Sequence, residues 1–296
     1  MGVEADYILG KLRTIETLPT FPGIVGEVIN VIEDPMSSAT DLAKSMDPSM
    51  AGEVLRIANT AYFGTGNFRN ITSIEHAIAI VGFQHLSHII LQMPFVSMIK
   101  GDTGFDRAQF VAHSITCGNL AKAISSCIST TNPNEIYISG LMHDVGSIIL
   151  YRYFHDEWER INSVIAESGV NRTEAEVRVL SVDHGVIGGM LLQLWNIPKM
   201  ISDPVMYHHN PDGAGENRKP AIVVSLGNKF AKNVDLRDNF FSFDEFLNKY
   251  RDFGVIAQDL DIDLKPSEQL RFFERAFTFL KDTKGFLEGV LEERHD

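Results

Sequence analysis

The stretch Gly140-Leu141-Met142-His143-Asp144-Val145-Gly146 sets an adjacent His-Asp pair inside an apolar run, a combination that packing alone does not explain. Read at helical spacing, Gly140, His143, Asp144 and Ser147 share one stripe, while Leu141, Val145 and Ile148 fall roughly opposite on a face suited to a core. The spacing predicts a helix that runs on to about Tyr153. An imidazole and a carboxylate one residue apart differ by about 100° around such a helix, so both reach one cation between them. A buried carboxylate without a counter-charge is costly. The pair has a second reading, an N-capping Asp beside a core His, and the remaining histidines bear on the choice.

Thirty residues upstream, a helix from Asp106 to about Ser125 places His113 on the face of Phe110, Cys117, Leu120 and Ile124. Downstream, Thr173 to Val179 leads into Ser181-Val182-Asp183-His184-Gly185, and the helix from His184 carries Gly188, Leu191 and Trp195 on the histidine's face. After the turn Asn196-Ile197-Pro198, a helix ends in Tyr207-His208-His209-Asn210-Pro211. There the imidazoles meet free carbonyls at a helix terminus or face a pocket from the helix end. Asn228 lies within a helix from Ala221 to Lys232, where its amide enters the same interior. Residues 235–296 are helical, with a break near Gly254 to Pro266 and a stripe of Leu270, Phe273, Phe277 and Leu280 suited to docking on the body or on a second copy.

The first hundred residues read as short helices. One spans Tyr7 to Thr17, the next runs from Pro22 to Glu33, and Asp41 to Met46, Ser49 to Ala61, Thr72 to Val81 and Gln84 to Met98 follow. Asp34-Pro35, Asp47-Pro48 and Gly82 separate them, and Thr72-Ser73-Ile74-Glu75 has a capping-box pattern. No strand period persists, so the fold class is all-α. Gly101-Asp102-Thr103-Gly104 marks a linker, which divides the chain into 1–100, 101–234 and a C-terminal extension 235–296. With 44% hydrophobic and 22% charged residues in 296, the chain suits a globular protein. Its net charge of −13 argues against DNA and anionic membranes as partners, and the one helix-turn-helix rhythm, Asp41 to Thr60, has Lys44 and Arg56 as its only cations. His76, His85 and His88 lack acidic neighbours at ligand spacing. Cys117 and Cys127 read as reduced thiols, no run approaches the ~20 apolar residues of a spanning helix, and a cytoplasmic location is expected.

In order, His113, His143-Asp144, His184, His208-His209 and Asn228 resemble the HD superfamily of metal-dependent phosphohydrolases. With Leu18-Pro19, Ile57-Ala58-Asn59-Thr60-Ala61-Tyr62-Phe63, Ile74-Glu75-His76-Ala77-Ile78 and Val81-Gly82, the chain from Leu18 to Lys232 resembles more narrowly the HDOD family, the HD-related output domain of bacterial signalling proteins. The resemblance implies an N-terminal helical bundle packed on an HD-like bundle. It implies that His113, His143 and Asp144, with a later aspartate, hold one divalent metal, and that His184, His208 and His209 hold a second in the phosphodiesterase branch. Asn228 stands where that aspartate belongs, as a weak or lost ligand, and Ser147 replaces a lysine. His208-His209-Asn210-Pro211-Asp212-Gly213 runs into Ala214-Gly215-Glu216 instead of a Gly-Tyr-Pro sequence.

Two functions follow from that pattern. One is a signalling or regulatory output domain that acts through contact with an unidentified signalling protein or a second copy of itself, and keeps a degenerate pocket still able to hold metal. The other is a metal-dependent phosphohydrolase acting on a nucleotide or cyclic dinucleotide. No catalytic residue is assigned in either. Imidazoles with one carboxylate suit iron, zinc, manganese or nickel better than calcium.

Overall fold

A computed structural model describes residues 3–15, 106–128, 132–234, 242–250 and 265–291 continuously, and 31, 34, 36–44, 46, 50–52, 54–56, 59, 71–83, 86–87 and 89–90 in the region between. Every regular element among these residues is helical, as the sequence periods require. The expected helix from Pro22 to Glu33, the linker at Gly101–Gly104, the distal half of Gln84–Met98 and the break before Pro266 lie wholly or largely outside the described residues. No single helix among the described residues is long and apolar enough to cross a membrane.

The chain divides into two compact units, one of residues 1–20 and 116–276 and the other of residues 21–115 and 277–296. The second contains α2 (Ala39–Lys44) and α3 (Ile74–Val81). Ser73 caps α3 by accepting from the His76 N–H, so the hydroxyl that starts the helix is one residue later than a Thr72–Glu75 box would place it. Asn59 uses its whole amide as a clamp: its oxygen accepts from the Ile71 N–H (2.8 Å) and its nitrogen donates to the Ile71 and Leu55 carbonyls (2.9 and 2.8 Å). A polar residue inside the Ile57–Phe63 motif is thereby accounted for by chain pairing.

The first unit holds α1 (Val3–Thr14), α4 (Arg107–Ser125, one helix that crosses the division), α5 (Pro133–Met142), α6 (Val145–Tyr153), α7 (His155–Ser168), α8 (Arg172–Leu180), α9 (His184–Leu194), α10 (Lys199–Met206), α11 (Arg218–Asn233), α12 (Phe243–Tyr250) and the start of α13 (Pro266–Leu291). α9 is the central element, packed against α6, α10 and α1. Local chemistry sets its position. Ser181 turns the chain out of α8 in the left-handed region (φ 57°), and Asp183 caps α9 through the Val186 N–H. The two helices meet at a 70° bend. On α13, Phe272 and Phe273 bury against Phe230, and Phe273 also against Phe246, whereas Leu270 is 45% exposed. Phe273 and Leu280 of the expected stripe are buried; Leu270 is not, and Phe272 takes a buried place against Phe230.

Small residues let α6 and α9 meet. A Cβ on Gly146 would lie 2.0 Å from the His184 carbonyl oxygen and 2.8 Å from the Gly188 nitrogen, so no side chain fits there without moving α9. Gly146→Ala is expected to cost about 1–3 kcal/mol or more through this overpacking. Gly10→Ala, in a solvent-facing turn of α1 with nothing within 4 Å of a new Cβ, should stabilise by roughly 0.5–1 kcal/mol. Paired thermal melts check both, and equal melting temperatures for the two variants would contradict the close approach.

Candidate metal centre

His143 and Asp144 do not continue a helix; they form the turn between α5 and α6, which corrects the expectation of one helix through Tyr153. His143 is the C-cap of α5, and Asp144 stands at the N-cap of α6 with φ −100° and ψ 9°. Its carboxylate makes no capping hydrogen bond. It turns instead into the protein, where Oδ1 lies 3.1 Å from His143 Nε2, 3.0 Å from His184 Nε2 and 3.8 Å from His208 Nε2. The N-capping alternative therefore fails, because the side chain is taken by the imidazoles.

Each of three rings is oriented by what its Nδ1 touches. His143 Nδ1 lies 2.8 Å from the Gly140 carbonyl and His208 Nδ1 lies 2.8 Å from the Val205 carbonyl. Both carbonyls are orphans at helix C-termini and can only accept, so each Nδ1 carries a proton and donates. His184 Nδ1 donates to Glu176 Oε2 at 2.6 Å. In all three rings the Nε2 faces inward, and His209 Nε2 stands 2.9 Å from His184 Nε2. Both readings of the vicinal histidines are realised at once: His208 gives one nitrogen to the helix end and the other to the interior.

Four of these side chains are nearly enclosed. His143, His208 and His184 are 0%, 1% and 6% exposed, and the Asp144 side chain is 17% exposed. Burial acts to lower the His184 pKa, but Glu176 and Asp144 override it and raise the ring to about 10. His143 is also raised above its ordinary value, by Asp144 and Cys117 against burial. Burial and the neighbouring rings push His208 down, and burial with His184 takes His209 to about 3. Asp144 is held well below the usual carboxylate range by His143 and His184, which outweigh burial. The cluster is a place for positive charge, shared between an anionic oxygen and inward nitrogens.

A divalent ion fits that place. With metal–nitrogen bonds of ~2.0–2.1 Å, ligand atoms in tetrahedral or octahedral sites stand roughly 3–3.5 Å apart, and the separations here run from 2.9 to 3.8 Å. Two sets of ligand-type side chains have donor atoms within 4.8 Å of one another, His184 with His208 and His209, and His113 with His143 and Asp144. His208 Nε2 is buried and has no hydrogen-bond partner among the described residues. Asn228 is buried at 3% exposure on α11 and Ser147 at 7% on α6, both uncharged.

Two neighbours of the cluster escape the sequence reading. Cys117, assigned only to an apolar face, donates to the Val224 carbonyl and interacts electrostatically with His143. Glu176 sits fully buried beneath His184. An acidic residue in the polar helix α8 carries no mark of being turned inward.

The sequence matches the model of the HDOD domain over residues 18–211, a stretch that includes every expected ligand except Asn228. An uncharacterized protein of Treponema pallidum (strain Nichols) is 24% identical over 225 residues, and the match spans 75% of this chain and 43% of that one. Among solved structures, an HDOD domain protein of unknown function from Geobacter sulfurreducens superposes with a TM-score of 0.72 at 22% identity, covering 96% and 97% of the two chains. A proposed phosphohydrolase of Shewanella amazonensis SB2B superposes with a TM-score of 0.71 at 20% identity, covering 95% and 97%. These likenesses show the fold.

Proton and metal compete for the same nitrogens. In metal-free protein the His184 pairings add stability that is fully present below the unfolded imidazole value of ~6.5 and is lost as the pH rises toward about 10. Metal uptake at about pH 8 should therefore expel roughly one to two protons per ion. Calorimetric titration of zinc(II) into chelator-treated protein, in two buffers of different ionisation enthalpy, measures this, and heats independent of buffer would contradict the competition.

Proposed function

This chain belongs to the HDOD domain family, and from that premise we propose that it is a bacterial signalling or regulatory output domain that acts through protein contacts and carries a transition-metal centre. His113, His143 and Asp144 would hold one ion, and His184, His208 and His209 form a second ligand set beside it. A bound divalent ion would supply Lewis acidity and a fixed positive charge. The residues themselves keep the nitrogens aimed inward and exclude water. Iron, zinc, manganese or nickel suits the donor set of imidazoles and one carboxylate.

The observation that carries this reading is the enclosure of the centre. Three histidines at 6% exposure or less, and a carboxylate at 17%, leave little surface through which a phosphoester could approach an ion. Ser147 and Asn228 add to it, since neither supplies the charge with which a hydrolase of this superfamily holds phosphate or a second bond to metal. A metal bound this way stabilises one arrangement of α5, α6, α9 and α10, and a partner protein reads that arrangement. Two free, buried cysteines suit the reducing cytoplasm as its place of action. The net charge of −13 keeps DNA out of the reading, and the partner is another protein or a second copy of the chain.

A second reading, hydrolysis of a nucleotide or cyclic dinucleotide, is favoured by the retention of the whole His-Asp cluster and by likeness to a proposed phosphohydrolase. A phosphodiesterase screen on protein loaded with manganese, iron or zinc separates the two. The regulatory reading expects no turnover above the uncatalysed rate in the wild type, tighter metal binding in Asn228→Asp, and at most slow hydrolysis in that variant. Multiple turnover by the wild type would reject it in favour of the enzyme.

A further inference from the structure

Glu176 lies in the middle of α8 with no exposed surface, and one of its oxygens serves a single residue twice. Oε2 accepts from the His184 backbone N–H at 2.9 Å and from the His184 ring Nδ1 at 2.6 Å. The backbone bond satisfies a donor that the first turn of α9 leaves without a helical partner, where negative charge is also favoured by the helix dipole. The ring bond fixes the imidazole with its proton on Nδ1. Held by backbone and ring together, His184 presents Nε2 to Asp144 Oδ1 at 3.0 Å and to His209 Nε2 at 2.9 Å.

Hydrogen bonding alone does not call for a carboxylate at this place. A glutamine oxygen would accept both bonds, and no charge would be buried. Yet Glu176 carries a second oxygen, Oε1, that is buried with no hydrogen-bond partner among the described residues. The negative charge must therefore be offset by something beyond the two bonds: the Arg172 guanidinium, one turn earlier on α8, attracts it on one side, and the charge placed on or beyond the His184 ring attracts it on the other. His143 and His208 differ in this respect, since their Nδ1 protons go to neutral backbone carbonyls. A carboxylate behind one imidazole makes that ring the more basic donor of the set.

We propose that Glu176 is a positioning residue of the metal centre, acting through His184 to fix its tautomer and strengthen its Nε2 as a ligand. The assignment rests on reading the histidine cluster as a metal centre. It makes α8 part of that centre although α8 contributes no ligand. The competing account is a plain ion pair that staples α8 to α9 and leaves metal affinity alone.

The test is a cobalt(II) titration, followed by its absorption bands, of the wild type, Glu176→Gln, His184→Ala and the double variant. Helical dichroism is matched to wild type first, and His184→Gln replaces the alanine variant if that one does not fold. Glu176→Gln should weaken cobalt binding roughly ten- to hundred-fold and shift the bands, and it should have no further effect once His184 is gone. Wild-type affinity in Glu176→Gln overturns the assignment, as does an equal loss in both backgrounds, which a fold staple would give. If the wild type itself binds no cobalt, the metal reading fails first and takes the assignment with it.

Discussion

Asp144 places an anionic oxygen among inward-facing imidazole nitrogens, and such an enclosure is stable only with positive charge at its centre. A proton meets this need in part and an ion of about 2 Å bond length meets it more fully. The backbone around the site is arranged accordingly. The chain breaks at His143-Asp144 so that the carboxylate turns inward, it bends by 70° between α8 and α9 so that Glu176 lies behind His184, and it ends α10 where His208 reaches a free carbonyl. Each of these departures from regular helix would cost stability by itself, and each delivers one group to the cluster.

The glycines serve the same geometry. Gly146 brings the α6 backbone against the His184 carbonyl, and Gly140 brings α5 against Gly118 of α4, where a Cβ would stand 2.8 Å from its Cα. Helices this close leave no slack for the rings to turn away, so the nitrogens are preorganised before any ion arrives. Imidazoles gathered around one carboxylate are chemistry suited to holding a divalent transition metal.

Much of this was legible in the sequence because helices announce their ends. Asp183 and Pro198 mark starts and Gly82 marks an end, all by local backbone chemistry. The ligand types were legible from their order along the chain. The break at His143-Asp144 was not, since Gly140 to Gly146 keeps helical periodicity and the carboxylate leaves the helix only because distant imidazoles attract it. Glu176 was hidden for a related reason. On α8 it is one acidic residue two positions from Glu174, on the opposite face of the helix, and packing alone decides which of the two turns inward. Leu270 and Phe272 illustrate the limit of a helical stripe, whose exact register is set by the aromatic rings it meets.

The central claim, that this cluster holds a metal, is tested most directly by elemental analysis and melting of one preparation purified without added metal, with and without chelator. The account predicts bound iron, zinc, manganese or nickel and a melting temperature that falls on chelation, because an ion bound only by the folded state stabilises it by mass action. Asp144→Asn should melt at one temperature whether or not chelator is present. Protein that takes up no metal under any loading condition, with a melting curve that chelator leaves unchanged, would contradict the account and leave the histidines as a hydrogen-bonded polar core.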